Sequence, residues 1–562
     1  MKPIQHPLKP LLAALLLAGF SLAAHAAGQL VPGAGAMLQQ VPPVTPPAPS
    51  SKASGMTLSP KAGATLPASA PFLVKTIQIS GNTLFDAASL HALVASAEGS
   101  SMTLTELGRL AGRITDHYHR HGYPLAQAII PAQTLSEGSV TIQVLEARYG
   151  KVSLDNSSRV RSSLLEKTLA SLQVGQQIDQ ASLDHVLLLL SDVPGVVSSA
   201  TLAPGDSVGT SDLLVSAAAA PMASGYAVAD NAGNLYTGRA RLGAAVNLNN
   251  LLHVGDVLSA TVLTSGSAMR YGRLSYEALM NGQGTRVGGA YSALYYSLGK
   301  SLAPLNAHGT AQVNSLWLKH PLVRSRDLNV YGQLGYEQLT LRDHIDASTI
   351  LTDRHLKNWT LRLNGDVRDT SLAGAISSWS AGWTSGLVNF DNASAQLADA
   401  ATARTQGRFS KWNVNLSRLQ NLNPANAVFL SLSGQSSNAN LDAAEKMSAG
   451  GIYTVRAYDM GALSGDTGYT ATAEWRRELG AMAGGQWQAI AFVDTARLSI
   501  NKQVRAAGEN RATLSGAGLG LNWAGPAQWN AKAYVASRLG SAPALVGGAA
   551  ATRAWVEMSK GF

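Results

Sequence analysis

The chain has no cysteine, and only 14% of its 562 residues are charged. A protein without cysteine cannot be held together by disulfides, which is unusual for a secreted enzyme but suits a chain that crosses an oxidising compartment unfolded. Beyond the first residues, no segment approaches the roughly 18 uninterrupted apolar residues that a membrane-spanning helix requires. If the protein lies in a membrane, the sequence therefore predicts that it crosses as a β-barrel.

The N-terminus has the features of an export signal. Lys2 and Lys9 supply positive charge, an apolar stretch follows from Leu11, and Ala24-His25-Ala26 provides the small residues that precede a cleavage site. The sequence therefore predicts a signal peptide over residues 1–26 and a mature chain that begins at Ala27.

Residues 27–71 are rich in proline, alanine, glycine and serine, a composition that buries no core and predicts a linker. Only residues 34–40, which lie between Pro32 and Pro42, have the composition to form a helix that proline does not interrupt. The linker could therefore contain one short helix.

Two small α/β units follow the linker. In residues 72–147 a strand precedes two helices and two further strands, and Thr103 with Glu106 has the spacing of a capping box at the start of the second helix. The same order of elements recurs over residues 148–219 without repetition of the sequence. The pattern predicts two β-α-α-β-β domains, each small but within the size range that folds alone.

The character of the sequence changes after residue 220. Between Trp359 and Arg368 apolar residues alternate with polar ones, so that one face of the strand is apolar and the other is suited to water. Similar windows begin at Ala240, Leu274 and Tyr469. A soluble β-sandwich would also alternate, but residues 220–562 exceed an ordinary sandwich. At roughly 20 residues per strand and turn they predict a transmembrane antiparallel β-barrel of about 16 strands.

Motifs in the barrel segment resemble those of a known superfamily. Val455-Arg456-Ala457-Tyr458 resembles the Val-Arg-Gly-Tyr signature on the inward-folded loop of the outer-membrane assembly and secretion proteins. Phe492 and Asp494 resemble the superfamily's Phe-x-Asp strand motif, and alternation places both on the lumen face. The last residue, Phe562, matches the barrel-assembly targeting signal of that class.

The two N-terminal units resemble polypeptide-transport-associated (POTRA) domains, through Ile79-Ser80-Gly81-Asn82 in the first and Asp192-Val193-Pro194-Gly195-Val196 in the second. Two POTRA units ahead of a barrel are the arrangement of two-partner secretion transporters, the haemolysin- and filamentous-haemagglutinin-secreting type. The resemblance implies a bacterial outer-membrane pore with its POTRA domains in the periplasm. Such a pore recognises an unfolded exoprotein of the adhesin, haemagglutinin or haemolysin type and moves it to the cell surface without nucleotide hydrolysis.

The chemistry of Arg456 and Asp494 can be argued without the family. A guanidinium in a crowded lumen loses hydration, and a bidentate carboxylate is the usual partner that makes this tolerable. We therefore expect the two to pair and to anchor an inward loop around residues 448–468, the alternative being that Arg456 faces water in a wide lumen. Ala457 stands where the family signature has glycine, so the backbone there should adopt less extreme angles than glycine permits. Two alternatives are left for the short helix at residues 34–40, namely that it plugs the pore or that it does not.

An extended client can pair its backbone with an edge strand of a POTRA domain, because main-chain hydrogen bonds hold a chain of any sequence. The candidate client-binding residues are Arg113, Tyr118 and Gln143. Outer-membrane lipid and the barrel-assembly machinery are further expected partners. Nucleic acid is not expected, because lysine and arginine are scattered along the chain despite its formal net charge of +9. A barrel-assembly insertase of the same superfamily and a plain diffusion porin are the alternative functions.

Two patterns suggest bound ligands and are rejected. His117 and His121 lie one helical turn apart, a spacing that can bind zinc, but no further ligand cluster accompanies them, which favours a solvated helix end. Gly299-Lys300-Ser301 resembles the end of a phosphate loop, but Leu294 occupies the position of the first required glycine. The sequence therefore predicts no catalytic residue, no metal and no cofactor.

Overall fold

A computed structural model describes the chain except for the predicted signal peptide, most of the linker and three short internal segments. The described residues are 31–41, 56–58, 69–134, 137–505, 507–546 and 550–562. Within these ranges, none of the helices is both long and apolar enough to cross a bilayer.

Two short elements of the linker are described, helix α1 (Ala34–Leu38) and strand β1 (Met56–Leu58). The first α/β domain then contains β2 (Phe72–Val74), β3 (Thr76–Ser80), α2 (Ala87–Ala92), β4 (Ser100–Met102), α3 (Leu104–Arg120), β5 (Gln127–Ile129) and β6 (Ser139–Leu145). Its sheet has the order β3-β6-β5, while β2 pairs separately with β4. The single strand predicted at the start of this domain is thus divided into β2 and β3, which separate at Lys75 because they pair with different partners.

Helix α3 forms where the capping box predicts it. The Thr103 side chain accepts a hydrogen bond from the Glu106 backbone N–H, and the Glu106 carboxylate accepts from the Thr103 backbone, so both otherwise unpaired donors are satisfied. Leu107, Leu110 and Ile114 repeat on one face of the helix and are buried against the sheet. Packing of this apolar face on β6 forms the core of the first domain.

The second α/β domain has the β-α-α-β-β order of the first without counterparts of β2 and β4. It contains β7 (Arg148–Asn156), α4 (Ser162–Leu169), α5 (Gln180–Ser191), β8 (Val196–Pro204) and β9 (Thr210–Ala219). Its sheet has the order β1-β8-β9-β7, so a strand from the linker has joined it. Strand β1 runs parallel to β8, with Thr57 opposite Thr201.

The rest of the chain is dominated by a closed antiparallel barrel, which confirms the predicted fold class. Sixteen strands form it, in chain order except for β21 and β22, which pair with each other inside a loop. The elements are β10 (Ala223–Asp230), β11 (Arg241–Asn249), β12 (Val257–Thr264), β13 (Met269–Leu279), β14 (Arg286–Ser297), β15 (Ala307–Arg324), β16 (Leu328–Ile345), β17 (Ile350–Asp369), β18 (Ala375–Phe390), α6 (Ala393–Ala401), β19 (Gly407–Asn423), β20 (Asn426–Ser437), β21 (Met447–Ala449), β22 (Leu463–Gly465), β23 (Thr467–Met482), β24 (Gly485–Ser499), β25 (Arg511–Ala524), β26 (Trp529–Arg538) and β27 (Thr552–Gly561).

The alternation of the strands separates an apolar outer wall from a polar lumen. On β17, Trp359 and Leu361 are 54% and 55% exposed on the outside, whereas Asn358 is buried inside. The barrel closes where β10 pairs with β27, and the Phe562 and Gly225 backbones exchange hydrogen bonds of 3.0 Å at the end of this seam. Because exposed apolar side chains surround the wall, the barrel is suited to lipid.

The second α/β domain is docked on one end of the barrel, which we call the domain end. Arg324 on β15 holds the Asp192 carboxylate through two hydrogen bonds of 2.7 and 2.9 Å. Arg326 in the next turn binds Asp184 at 2.6 Å. These ion pairs hold the domain against the rim. The opposite end of the barrel, the far end, carries the long connections, among them residues 391–406 and 438–466.

Candidate functional site

The loop between β20 and β23, residues 438–466, folds back into the barrel lumen. Its strands β21 and β22 form a short hairpin, in which Met447 is opposite Gly465. The tip carries Val455, Ala457 and Tyr458, each no more than 1% exposed. The predicted inward loop around residues 448–468 therefore lies within the lumen, with its motif packed against the wall.

The structure brings Arg456 and Asp494 together. Arg456 donates from Nε to Asp494 Oδ2 at 2.8 Å and from Nη2 to Asp494 Oδ1 at 2.7 Å, which is a bidentate pair. Its Nη1 donates to Glu474 Oε1 at 2.7 Å. Arg476 donates to the second oxygen of Glu474, so two cations and two carboxylates balance in this cluster. The loop is thereby fastened to β23 and β24 by a neutral, hydrogen-bonded network, which we call the first latch.

Aromatic rings complete the first latch. The Arg456 guanidinium lies 3.4 Å from the centre of the Phe492 ring, a cation–π contact that has little water around it. The Trp555 indole donates to the Arg456 carbonyl at 2.7 Å. Neither Trp555 nor Glu474 belongs to the motif found in the sequence, although Glu474 lies on the polar face of the window that begins at Tyr469.

Ala457 occupies the position that glycine has in the family signature, and the opposite wall supplies the space for its methyl group. A Cβ placed on Gly516 of β25 would lie only 2.4 Å from the Ala457 Cβ. Ala457 is absent from the residues that adopt positive φ, so the backbone needs no glycine there. Gly516 therefore gives the Ala457 methyl group the room that it needs against the wall.

Helix α1 also lies in the lumen. It forms within residues 34–40, the segment for which the sequence predicts a short helix. Ala34 and Met37 are buried among apolar residues of the wall and of the loop: Leu294, Tyr296, Leu298, Ala307, Ala311, Val313, Leu339, Leu341, Leu356, Val388, Phe409, Leu441 and Ala444. A Cβ on Gly35 would lie 2.6 Å from the Ala444 backbone nitrogen, so glycine lets the helix touch the loop. This apolar cluster fills the lumen between the helix and β14–β19.

A second buried arginine joins the helix, the loop and the wall. Arg354 on β17 donates to Asp343 Oδ2 on β16 at 2.7 Å, and its Nε donates to Asp442 of the inward loop. Asp343 Oδ1 accepts from the Ala34 backbone N–H at 2.7 Å and from the Tyr296 hydroxyl at 2.6 Å. We call this network the second latch, because it joins the helix and the loop to the wall.

The three candidate client-binding residues lie on different sides of the first α/β domain. Arg113 is exposed on α3 and donates to the Leu93 carbonyl at 3.4 Å. Gln143 is half-buried on β6, on the face turned away from the helices. Tyr118 is fully buried, and its hydroxyl donates to Glu146 at 2.9 Å. The structure thus does not bring the three into one surface.

Glu146 sits at the junction of the two α/β domains. Burial alone would raise the pKa of its carboxyl group, but hydrogen bonds from Thr83, Leu84 and Tyr118 bring the pKa below its usual value. Burial, followed by the hydrogen bond to Glu146, raises the pKa of Tyr118. The ionised Glu146 therefore holds the loop after β3 and the helix α3 together.

The two rejected ligand patterns have structural roles instead. The His117 and His121 rings are 4.2 Å apart, and the His117 ring packs edge-on against Phe85. Burial lowers the pKa of His117, and the neighbouring His121 and Arg120 add to this. Across the described ranges, no three acidic or histidine side chains converge as metal ligands would. Lys300 begins a short 3₁₀ turn between β14 and β15.

A closed barrel with a latched inward loop, preceded by two domains of the β-α-α-β-β order, defines an outer-membrane POTRA-barrel protein. The chain matches two families: residues 209–523 match the haemolysin secretion/activation protein ShlB/FhaC/HecB, and residues 72–147 match the ShlB-type POTRA domain. The chain therefore belongs to the ShlB/FhaC/HecB family of haemolysin secretion and activation proteins. The POTRA match has the same bounds as the first domain predicted from the sequence.

The chain is similar to transporters of other bacteria over about two thirds of its length or more. The heme/hemopexin transporter protein HuxB of Haemophilus influenzae is 29% identical over 68% of this chain and 67% of its own length. The outer membrane transporter CdiB of Dickeya dadantii is 23% identical over 74% of this chain and 73% of its own length. The match to the solved structure of CdiB from Escherichia coli covers 100% of both chains, with a TM-score of 0.68 at 20% sequence identity. This match shows that the two proteins share a fold. The protein is a two-partner secretion transporter of the bacterial outer membrane, and its POTRA domains lie in the periplasm.

Proposed function

We propose that this transporter captures an extended exoprotein on its first POTRA domain and releases the two lumen latches to let the chain through. The observation that carries the proposal is the pair of buried arginines, Arg456 and Arg354, each between two carboxylates. A buried ion pair contributes little net stability, but breaking it leaves costly unpaired charges. Such networks favour one arrangement of loop and helix over any partly released one, which suits a pore that is either closed or open.

The resting lumen is too full to pass a polypeptide. Between the far end and the middle of the barrel, helix α1 and the inward loop share one apolar core with the wall. An extended chain needs a channel about 10 Å wide, close to the spacing of packed sheets. In this proposal helix α1 leaves the lumen first, because its residues are uncharged and form no ion pair with the wall, whereas Asp442, Arg456 and Asp459 of the loop do. The client then takes the place of the helix.

Client recognition is assigned to the first POTRA domain. Arg113 on α3 and Gln143 on β6 are accessible enough to contact a client directly. Tyr118 is buried, so its role is to hold α3 against β6 through Glu146. An extended client pairs its backbone with an edge strand, while side chains such as these select the client.

Several features of the proposal concern partners and chemistry. The client is an exoprotein of the adhesin, haemagglutinin or haemolysin type. Phe562 at the end of the β10–β27 seam serves as the signal to the barrel-assembly machinery, and outer-membrane lipid surrounds the wall. Transport uses no catalytic residue, cofactor, metal or nucleotide, and no nucleic acid takes part. Folding of the client outside the cell makes passage effectively one-way.

The test compares the proteins in the culture medium of cells with and without this chain. We expect one large exoprotein to disappear when the chain, or its residues 72–147, is deleted. Loss of many outer-membrane barrels would identify an insertase instead. Changed uptake of small solutes with an unaltered medium would identify a porin.

Client contacts are tested by reversing a charge at Arg113 and introducing one at Gln143. We expect Arg113→Glu and Gln143→Lys each to reduce export, while Arg109→Glu, on an exposed position of the same helix, leaves it unchanged. Tyr118→Phe should reduce export only as far as it loosens the domain, which limited proteolysis measures. Normal export by the Arg113→Glu and Gln143→Lys variants would remove these residues from the client site.

A further inference from the structure

Three neighbouring strands of the barrel, β18, β19 and β20, carry short uncharged side chains on their lumen face. Exposed apolar residues mark the outer face of each strand, among them Trp383 on β18, Trp412 and Leu416 on β19, and Leu430 and Leu432 on β20. Because side chains alternate along a strand, the residues that alternate with these positions point into the lumen. We call these lumen-facing residues the neutral lane: Ser378, Ser380, Gly382, Thr384, Asn413, Asn415, Ser417, Ser431, Ser433 and Gln435.

The neutral lane lies between the two latches. In the closed barrel its three strands stand between β17, which carries Arg354 of the second latch, and β23, which carries Glu474 of the first. The inward loop is fastened on both sides of the lane, through Asp442 to Arg354 and through Arg456 to Glu474. The loop therefore spans the lane at rest, and release of both latches frees it on both sides.

The loop also closes the far end of the lane. Gln435 donates from Nε2 to the carbonyl oxygens of Glu445 and Asp466, each at 3.1 Å, and these two residues belong to opposite arms of the loop. Beyond this point, Val388 of β18 and Phe409 of β19 belong to the apolar cluster that holds helix α1. The lane thus leads to the two elements that must move before a polypeptide can pass.

The hydrogen bonds between side chains of the lane join uncharged groups. Asn413 Nδ2 donates to Gln435 Oε1 at 2.8 Å, and Asn415 Nδ2 donates to Ser380 Oγ at 3.0 Å. Such bonds are about half as strong as those that involve an ionised group. Ser378 and Asn415 are exposed although they face the lumen, so this part of the lumen has room for water. Water or the backbone of an extended chain can therefore replace these bonds one at a time.

The wall from β13 to β17 differs, because it carries charged side chains on its lumen face. Glu277 on β13 pairs with Arg286 on β14 and accepts from the Trp317 indole at 2.7 Å, and Lys319 on β15 lies over the Tyr331 ring. Charged groups of this kind hold a passing side chain or backbone strongly. A pore conducts only if its cargo binds at many sites and weakly enough to leave each of them. The neutral lane meets this condition, whereas the charged wall does not.

We propose that the neutral lane is the track on which the extended client crosses the lumen. The backbone amides and carbonyls of the client exchange hydrogen bonds with the hydroxyl and amide side chains of the lane. The inference rests on the proposed function, since it needs both a client and release of the two latches. Because the lane offers no charge, it accepts an extended chain of any sequence, and the choice of client is left to the first POTRA domain. The client then passes Gln435 and continues through the space that helix α1 leaves.

A charge placed in the lane tests the track during export. Ser433 is opposite Asn415 on one side and Thr470 on the other, so a carboxylate there has no cation opposite it. The Ser433→Glu side chain should hold basic residues of the client and repel acidic ones, and we expect export to fall at least about tenfold. Ser433→Gln should export clearly more than Ser433→Glu, because only the charge differs between them. Heat-dependent mobility in gels shows that each barrel is folded.

Strand β12 supplies a matched control, because its lumen face is uncharged too but lies outside the arc from β17 to β23. Ser259 donates to Asn247 inside the lumen at 2.6 Å, and on its other side it is opposite Ser275. Ser259→Glu therefore adds the same charge in similar surroundings. We expect this variant to export like the wild type, since the client does not touch β12.

A second measurement needs no client. The double variant Asp343→Ala with Arg456→Ala breaks both latches, and its conductance is recorded in planar bilayers. The probe is a synthetic peptide of alternating glycine and serine that carries one lysine and blocks the current while it crosses the pore. Adding Ser433→Glu should lengthen the blocks at least about tenfold, because its carboxylate pairs with the lysine, whereas adding Ser259→Glu should not.

Each arm has a distinct outcome. Export by Ser433→Glu at the wild-type level, or an equal fall in Ser433→Glu and Ser259→Glu, would overturn the proposed track. Blocks of equal length in the two pores that carry these changes, or no block at all, would overturn it as well. If the wild type itself exported no protein, the proposed function would fail, while the peptide blocks would still report whether the lane lines the open lumen.

Discussion

The lumen contains two latches that use the same chemistry with opposite placement. In the first, the arginine belongs to the loop and both carboxylates, Asp494 and Glu474, belong to the wall. In the second, Arg354 belongs to the wall and its carboxylates are divided between the wall and the loop. Both arginine residues are only 4% exposed. The two sites therefore have similar desolvation but fasten different elements.

This difference in placement determines what each latch controls. The first latch fastens one element, the loop tip, and all its partners except Arg456 stay on the wall when it breaks. The second is a junction, because Asp343 accepts hydrogen bonds from the helix backbone at Ala34 and from Tyr296 as well as from Arg354. Loss of Asp343 should loosen helix α1 without freeing the loop tip, whereas loss of Arg456 should do the reverse.

The largest effect is expected from Arg456→Ala. The variant leaves Asp494 and Glu474 buried without their cation, and breaking a buried pair in this way costs roughly 3–5 kcal/mol. We expect export to fall to background while the barrel keeps its heat-dependent mobility in gels. Arg408→Ala, at an exposed position on β19, serves as the control. Wild-type export by Arg456→Ala would show that the first latch is not needed.

The second latch is tested by Asp343→Ala. Arg354 keeps Asp442, but the Ala34 N–H and the Tyr296 hydroxyl lose their acceptor, at about 1–3 kcal/mol for each buried group left unpaired. We expect helix α1 to leave the lumen more often, so that ion conductance in planar bilayers rises at least about tenfold, or 1.4 kcal/mol. Asp346→Ala, exposed in the next turn, should conduct like the wild type. Unchanged conductance in Asp343→Ala would contradict the division between the latches.

A smaller effect is expected where the loop tip meets Gly516. Gly516→Ala would place a methyl group 2.4 Å from the Ala457 Cβ. Overpacking of this kind costs about 1–3 kcal/mol, which should raise the rate at which added trypsin cleaves after Arg456 in intact cells. Adding Ala457→Gly should restore protection, since it returns the missing space. Failure of the double variant to recover would mean that the Ala457–Gly516 contact does not set the position of the tip.

The smallest effect is expected from Tyr296→Phe. The change removes one hydrogen bond to Asp343, which still accepts from Ala34 and Arg354, and costs about 1 kcal/mol. Conductance should therefore rise by about fivefold at most, less than in Asp343→Ala. Tyr295→Phe, on the outer face of the same strand, is the matched control and should have no effect. A larger effect in Tyr296→Phe than in Asp343→Ala would reverse the order of importance within the second latch.

Periodicity in the sequence predicted the fold well where one face of an element is buried. The alternation in Trp359–Arg368 places Trp359 and Leu361 outside, and the capping box at Thr103 begins helix α3. Periodicity did not predict the bounds of strands that are set by their pairing partners alone. Strands β2 and β3 separate at Lys75, because they pair with different strands. The residues of the first latch were predicted in part, because Arg456 and Asp494 belong to sequence motifs, whereas Trp555 belongs to none.

By itself, the sequence determined the class of the protein. Alternation with period two, over a segment longer than an ordinary sandwich, indicates a barrel wall between lipid and water, and this pattern depends only on neighbouring residues. Only the tertiary structure decided that a five-residue helix from the linker lies in the lumen, that Arg354 joins it to the loop, and that β1 covers the edge of β8. These contacts link residues far apart in the chain, 309 positions in the case of Ala34 and Asp343. A local pattern cannot encode such a contact, because its energy depends on a partner that only folding of the whole barrel brings near.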